Sequence, residues 1–446
     1  MTAGVDEEGD IRPGRQRISL AVAIGLCLPG AASRLAGFHG NPGLMAVIFG
    51  LSIVGAAFLL SWAAEVAQLD ISAGLAIALL AFIAVLPEYA VDLVFAWKGG
   101  KAVERFGSTC RGPGDTTESP CSLALANTTG ANRLLIGVGW SLVVFLAWYA
   151  VRRRNRAGAP GATGAPLTGV SLERSHSVEL AFLTLASAYS LTLPLKRSIT
   201  LFDAGVLVSL FVVYTARISR ATGEEPHLVG PALYVSTFTE RNRRLSVVGM
   251  FLFAAAVIIL CAEPFAEALV ETGAEFGVSE FLLVQWLAPL ASEAPELLVA
   301  ALYAWRLNTN AGLGTLVSSK VNQWTLLVGT LPIVFAIASG SLHGLPIVAR
   351  QREELFLTAA QSVFAVAILT NLSISVREAA MLFSLFWAQF LLGAVVPASW
   401  HGVELVAVGI MYLVLAAGYF VAQRRDVPKL MDDGLRTQYA ELTRQG

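Results

Sequence analysis

Glu88 and Glu296 each follow a proline in the middle of a long apolar stretch, in the blocks PEYAVDLVFAWK (87–98) and PELLVAALYAWR (295–306). An ionisable group in such surroundings is expensive unless it faces a cavity, a partner or a ligand. Proline removes one backbone donor and leaves a carbonyl unpaired, so Pro87 and Pro295 bring free backbone oxygen beside each carboxylate. Oxygen ligands are what Na⁺ and Ca²⁺ require. Each glutamate has a second acid on nearly the same helix face, Asp92 four residues after Glu88 and Glu293 three before Glu296. Two readings of Asp92 and Glu293 stand: members of a cation site, or counter-charges for Arg133 and Lys320, the two basic residues that lie within hydrophobic segments.

Neutral oxygens follow on the next segments: Asn127, Thr128, Thr129 and Asn132 after the first block, Ser318, Ser319 and Asn322 after the second. Hydroxyls in membrane helices often bond only their own backbone, and it is their symmetric placement that marks these. TTGANRLLIGVG (128–139) lies on SSKVNQWTLLVG (318–329), with Asn132 opposite Asn322 and Gly139 opposite Gly329, while the two proline blocks share Pro, Glu, Val, Ala and Trp. Two blocks in the same order define an internal repeat. Lys320 bears on the substrate. Glu88, Asp92, Glu293 and Glu296 against Arg133 and Lys320 leave a formal charge of −2, enough to neutralise one divalent or two monovalent cations. The Lys320 ammonium either occupies or titrates at a cation position or forms a structural salt bridge to Glu293 or Glu296. Glu263 and Glu267 fit a funnel or a solvated helix end and stand outside the core set. His176, His227, His343 and His401 read as loop residues without metal-ligand spacing.

The elements that must carry these residues are apolar. Of 446 residues 55% are hydrophobic and 14% charged, with a mean hydropathy of +0.65, so the solvent is lipid and nucleic-acid binding has no support. Runs long enough to cross roughly 30 Å of hydrocarbon fall at about 17–37, 43–68, 72–97, 121–150, 177–194, 198–217, 244–270, 279–305, 309–339, 357–373, 377–397 and 402–422. The expectation is an all-α polytopic membrane protein of about twelve transmembrane helices, the first retained rather than cleaved as a signal peptide. Of the 31 Lys and Arg, 20 fall on the side shared by the termini and nine on the other, which predicts both termini cytoplasmic in the plasma (cell inner) membrane. The helix ending at Lys98 then leaves on the outside and the one ending at Arg306 on the inside, so the repeats are inverted, as in many secondary transporters. Cys110 and Cys121 bracket one outer loop, as a disulfide or as two thiols. The Gly/Ala/Pro-rich piece around 157–167 reads as a linker.

These blocks resemble the α-repeats of the sodium/calcium exchanger superfamily, the Ca²⁺/cation antiporters, from about 43 to 397. In that family a Gly-Thr-Ser-x-Pro-Glu-like helix precedes a Gly-Asn-x-x-Gly-Ser-Asn-like one. The resemblance implies ten core helices in two inverted five-helix halves, here 43–217 and 244–397, joined by a cytoplasmic loop at 218–243. Residues 1–42 and 398–446 would add a flanking helix each, with the cytoplasmic tails. Glu88 and Glu296 match the family's central carboxylates, Asn127 and Asn132 the Asn positions of the first repeat, and Ser319 the hydroxyl of the second. The chain departs at Ile83, Ala84 and Val85, at Ala291, Ser292 and Glu293, and at Lys320, which stands where the second repeat would offer Asn. The expected function is secondary antiport of Ca²⁺ against Na⁺ or H⁺ by alternating access at a midplane site, with no cofactor and with inorganic cations and the bilayer as partners. The alternatives are Na⁺/H⁺ antiport with Lys320 filling a cation position, a channel, and, distantly, an intramembrane hydrolase using paired acids.

Overall fold

A backbone in hydrocarbon must satisfy its own hydrogen bonds, which leaves helices as the way for these apolar runs to cross. In the computed structural model the described residues are 13–38, 40–70, 86–107, 110, 118–158, 167–219, 228, 230–277 and 279–443. Their long helices are α1 (Pro13–Leu35), α2 (Pro42–Ala67), α3 (Leu86–Phe106), α4 (Pro120–Leu134), α5 (Ser141–Ala157), α6 (Ser177–Ser190), α7 (Leu201–Ile218) and α8 (Glu240–Phe276). They continue as α9 (Glu280–Trp305), α10 (Thr309–Asn322), α11 (Val328–Ser339), α12 (Ala349–Leu369), α13 (Val376–Val395), α14 (His401–Ala422) and α15 (Asp426–Leu435). Among the described residues nine helical spans are long and apolar enough to cross a membrane, with α4 and α5 forming one and α10 and α11 another. Large side chains such as Ile259, Leu252, Val414 and Val421 stand exposed on the outer surface. That surface suits lipid, not water.

The first part of the run expected at 72–97, with Ile83, Ala84 and Val85, lies outside the described residues. So do His227 and most of the 157–167 linker. Elsewhere the helices follow the hydropathy closely, with two informative exceptions. α12 begins at Ala349 rather than 357, because Glu354 is buried and paired with Arg133 at 2.8 Å inside the bundle. α3 runs on to Phe106 through Lys101 and Glu104, which pair with each other at 2.8 Å on its solvated end.

The chain is not helical throughout. β1 (Gly169–Ser171) pairs antiparallel with β4 (Ser373–Ser375), Val170 opposite Ile374, and β2 (Ser198–Ile199) pairs with β3 (Leu345–Pro346). The two ribbons lie at opposite ends of α6. α4 passes into α5 through a π-helical turn at Leu135–Trp140, and α10 into α11 through another at Gln323–Leu327. Such widened turns free backbone groups and re-aim side chains, and they concentrate at functional sites.

Helices α3, α4, α9 and α10 meet at the centre, and the closest approach is made at a glycine. A Cβ on Gly130 of α4 would lie 1.7 Å from the Gln285 carbonyl oxygen of α9, so only glycine fits. On the face where α1 begins and α14 ends, Asp70 receives Arg243 at 2.7 Å, and this hydrogen bond holds its carboxyl below the usual range. Arg174 grips Asp433 of α15 on the same face. At the other face Arg34 and Lys98 meet Glu263, and Lys98 also meets Glu267, all partly exposed, so these acids belong to a solvated helix end. Cys110 and Cys121 are joined in a disulfide, while Cys27 and Cys261 are buried free thiols.

Candidate cation site

α3 presents Glu88 and Asp92 one turn apart, both buried. Asp92 is held by α4, accepting from Asn127 Nδ2 at 2.8 Å and from Thr128 Oγ1 at 2.9 Å. Glu88 has no such support: neither of its buried oxygens receives a hydrogen bond. Its carboxyl instead faces that of Glu293 on α9 at hydrogen-bonding proximity, with Asp92 and Glu296 close enough to interact electrostatically. Two carboxylates tolerate that contact only with a shared proton or a cation between them. Glu293 is steadied from the other side by Gln323 Nε2 at 2.5 Å, and Glu296 lies one turn further along α9, half-buried.

The acceptors left over define what the site wants. Glu88 Oε1 and Oε2, Glu293 Oε2, Glu296 Oε2, Asn127 Oδ1 and Gln323 Oε1 are all buried oxygens without a donor. A buried acceptor left unmet costs about 1–3 kcal/mol, more when charged, and a cation answers several at once. Among the described residues no three His, Cys, Asp or Glu side chains form a ready-made metal cage. Neutral oxygens are therefore needed to complete any shell.

Lys320 forms no salt bridge to Glu293 or Glu296 among the described residues, which removes the structural-bridge reading. Its ammonium crosses from α10 to α4 and donates to Asn132 at Oδ1 (2.6 Å) and at the backbone oxygen (3.1 Å), and sits 4.7 Å from the Trp324 ring centre. Asn132 Nδ2 is spent on the Thr128 carbonyl. Lys320 thus occupies the one Asn of the first block that the Asp92 network does not use. Arg133 likewise leaves the acids alone, because Glu354 of α12 and Gln389 of α13 bind its guanidinium. Among the described residues neither base pairs directly with Asp92 or Glu293, and Lys320 acts on Glu293 only through space.

Of the remaining expected residues, Thr129 bonds back to Leu125 O at 2.7 Å and receives Gln285 Nε2 at 3.5 Å. Ser319 and Asn322 are buried on α10. Ser318 turns away from the carboxylates and donates to Glu179 of α6 at 3.5 Å. Sequence reasoning passed over Gln323, Gln285 and Glu354. Gln323 lay within the second aligned block, directly after Asn322, and was the one of the three with a readable signal.

The fold and the acid pair together define an integral membrane transporter. The chain matches the model of the sodium/calcium exchanger protein family over residues 41–219 and 246–395. It belongs to that family, and is accordingly a secondary cation transporter and not an enzyme. Among solved structures, one described as the H⁺/Ca²⁺ exchanger CAX is 40% identical, with a TM-score of 0.83, over 96% of this chain and 99% of that one. The structure of native YfkE shares the fold at a TM-score of 0.56 and 14% identity, over 90% of this chain and 99% of that one. The comparison with curated proteins returns no match.

Proposed function

We propose that the protein exchanges Ca²⁺ against H⁺ or Na⁺ at a midplane site built from Glu88, Glu293 and Glu296, with Asp92, Asn127, Thr128 and Gln323 around them. The observation that carries this is the set of buried, donor-free oxygens converging from α3, α4, α9 and the π-turn after α10. Competition for the same carboxylates supplies the coupling: a proton and a metal ion cannot both hold Glu88 and Glu293 in their facing arrangement. The 40% identity to a structure described as an H⁺/Ca²⁺ exchanger favours H⁺ over Na⁺ as the counter-ion. The two proline blocks, the paired π-turns and the reciprocal ribbons β1·β4 and β2·β3 support two inverted repeats, 43–217 and 244–397, that rock about this site. The Lys and Arg distribution supports cytoplasmic termini.

A second reading has its own observation. Lys320 fills a polar position between α4 and α10 with its side-chain nitrogen, which suits a carrier that needs fewer cation sites, such as a Na⁺/H⁺ antiporter. Proteoliposomes loaded with Ca²⁺ and given a pH gradient, then a Na⁺ gradient, separate the two. Gradient-driven Ca²⁺ movement that Glu296→Gln abolishes is the expected result. Ca²⁺ that stays put while Na⁺ and H⁺ exchange overturns the Ca²⁺ assignment, and Lys320→Asn then tests whether the ammonium sets the selectivity.

A further inference from the structure

Residues 179–204 and 354–379 lie on one another as a third matching block. Glu179-Leu180 stands opposite Glu354-Leu355, Ser198-Ile199-Thr200 opposite Ser373-Ile374-Ser375, and Asp203-Ala204 opposite Glu378-Ala379. The structure treats them alike: each Ser-Ile pair forms a ribbon strand, and each hydroxyl and acid form a reciprocal cap at the start of the next helix, Thr200 with Asp203 on α7 and Ser375 with Glu378 on α13. Glu179 and Glu354 are therefore twins, both buried near the start of their helices.

Their partners are not twins. Glu354 has Arg133 at 2.8 Å. With Asn132 opposite Asn322, the residue matching Arg133 is Gln323, which is neutral and turned to Glu293. Glu179 is left with Ser318 Oγ at 3.5 Å and His176 Nδ1 at 3.7 Å, and with Tyr214 of α7 close enough to feel its charge. Its Oε2 is buried without a hydrogen bond. Arg174, two residues before His176, is taken by Asp433, and Arg217, three after Tyr214, by the carbonyls of Asp433, Gly434 and Thr437. Tyr439 completes the groups facing this pocket. Glu179 is thus a buried carboxylate without the arginine that its twin has, reached through Ser318 from the helix that carries Lys320.

We propose that Glu179, with Ser318 and Tyr214, is a second binding station for the transported cation, on the side of the molecule where α1 begins and α15 docks. The arriving cation takes the place that Arg133 holds beside Glu354, before passing along α10 to Glu88 and Glu293. The inference rests on the antiport reading above. Its test uses membrane vesicles of both orientations, with Ca²⁺ offered first to one face and then to the other. Glu179→Gln should raise the KM for Ca²⁺ about tenfold at the face where α15 docks and by less than about twofold at the opposite face. Glu179→Asp, which keeps the charge, should recover most of that loss. Equal KM changes at both faces, or Glu179→Gln and Glu179→Asp losing thermal stability and transport together, would mark Glu179 as structural and overturn the station. Absence of Ca²⁺ flux in the unmodified protein overturns the antiport reading itself, which keeps the two failures apart.

Discussion

Two of the clusters of buried charge among the described residues, one around Arg133 and one around Glu88, are built to opposite rules. Around Arg133 the charge has its counter-charge in place: Glu354 and Gln389 bind the two terminal guanidinium nitrogens, Trp286 lies 5.2 Å beneath, Gln389 passes a hydrogen bond on to Glu404 at 3.2 Å, and of the guanidinium only Nε is left without an acceptor. Around Glu88 the acids face one another and four of their oxygens, both of Glu88 and one each of Glu293 and Glu296, lack donors, while the Lys320 side-chain nitrogen is turned to Asn132. A dry charge with its partner in place is part of the scaffold. A dry charge without one is a position held for something that comes and goes.

Breaking the comparison at the acid cluster should give the largest effect. Glu88→Gln keeps the shape but removes the charge, and gradient-driven cation flux should fall by about 100-fold or more. The same substitution should leave thermal stability in cation-free buffer unchanged or raised, because it relieves an uncompensated carboxylate. A fall in melting temperature alongside the lost flux would place Glu88 in the scaffold instead.

The Arg133 cluster should behave the other way. Arg133→Met strands Glu354 in the bundle and should cost about 3–5 kcal/mol of stability, read by thermal or denaturant unfolding in detergent. Arg133→Met combined with Glu354→Met should recover most of it, since replacing both partners by apolar groups of similar volume is close to neutral. If the double variant stays as unstable as the single, the polar cluster does more than compensate charge.

The sequence carried most of the fold, because in hydrocarbon a long apolar run has few alternatives to a helix. The misplaced start of α12 shows where that logic gives way: hydropathy counts Glu354 as a reason to be in water, and only the tertiary position of Arg133 makes it a reason to be inside. At the site, Glu88, Asp92 and Glu293 were readable because a proline and an acid in an apolar run are costly and duplicated. The role of Lys320 was open in the sequence, since which of Asn132, Glu293 or Glu296 it reaches depends on how α4 and α10 face each other across the widened turns. Gly130 is a further case: its necessity comes from the Gln285 carbonyl of another helix, which no local pattern announces.

The smallest expected effect sharpens the contrast at the membrane's edge, where charge pairs meet water. Asp433 accepts from Arg174 at 2.7 Å and 2.5 Å, and that bond holds its carboxyl below the usual Asp value. A carboxyl lowered in the folded state contributes stability above its unfolded value of about 3.9 and loses it as the pH falls through the folded one. Asp433→Asn should therefore cost about 1 kcal/mol near neutral pH, roughly 2–4 °C in melting temperature. The gap between variant and parent should close as the pH drops below the carboxylate range, and should shrink in high salt, because Arg174 is partly exposed. The Arg133–Glu354 pair lies too deep for salt to reach. If Asp433→Asn were as costly as Arg133→Met and equally indifferent to salt, the docked α15 would have to be counted with the buried scaffold and not with the wet rim.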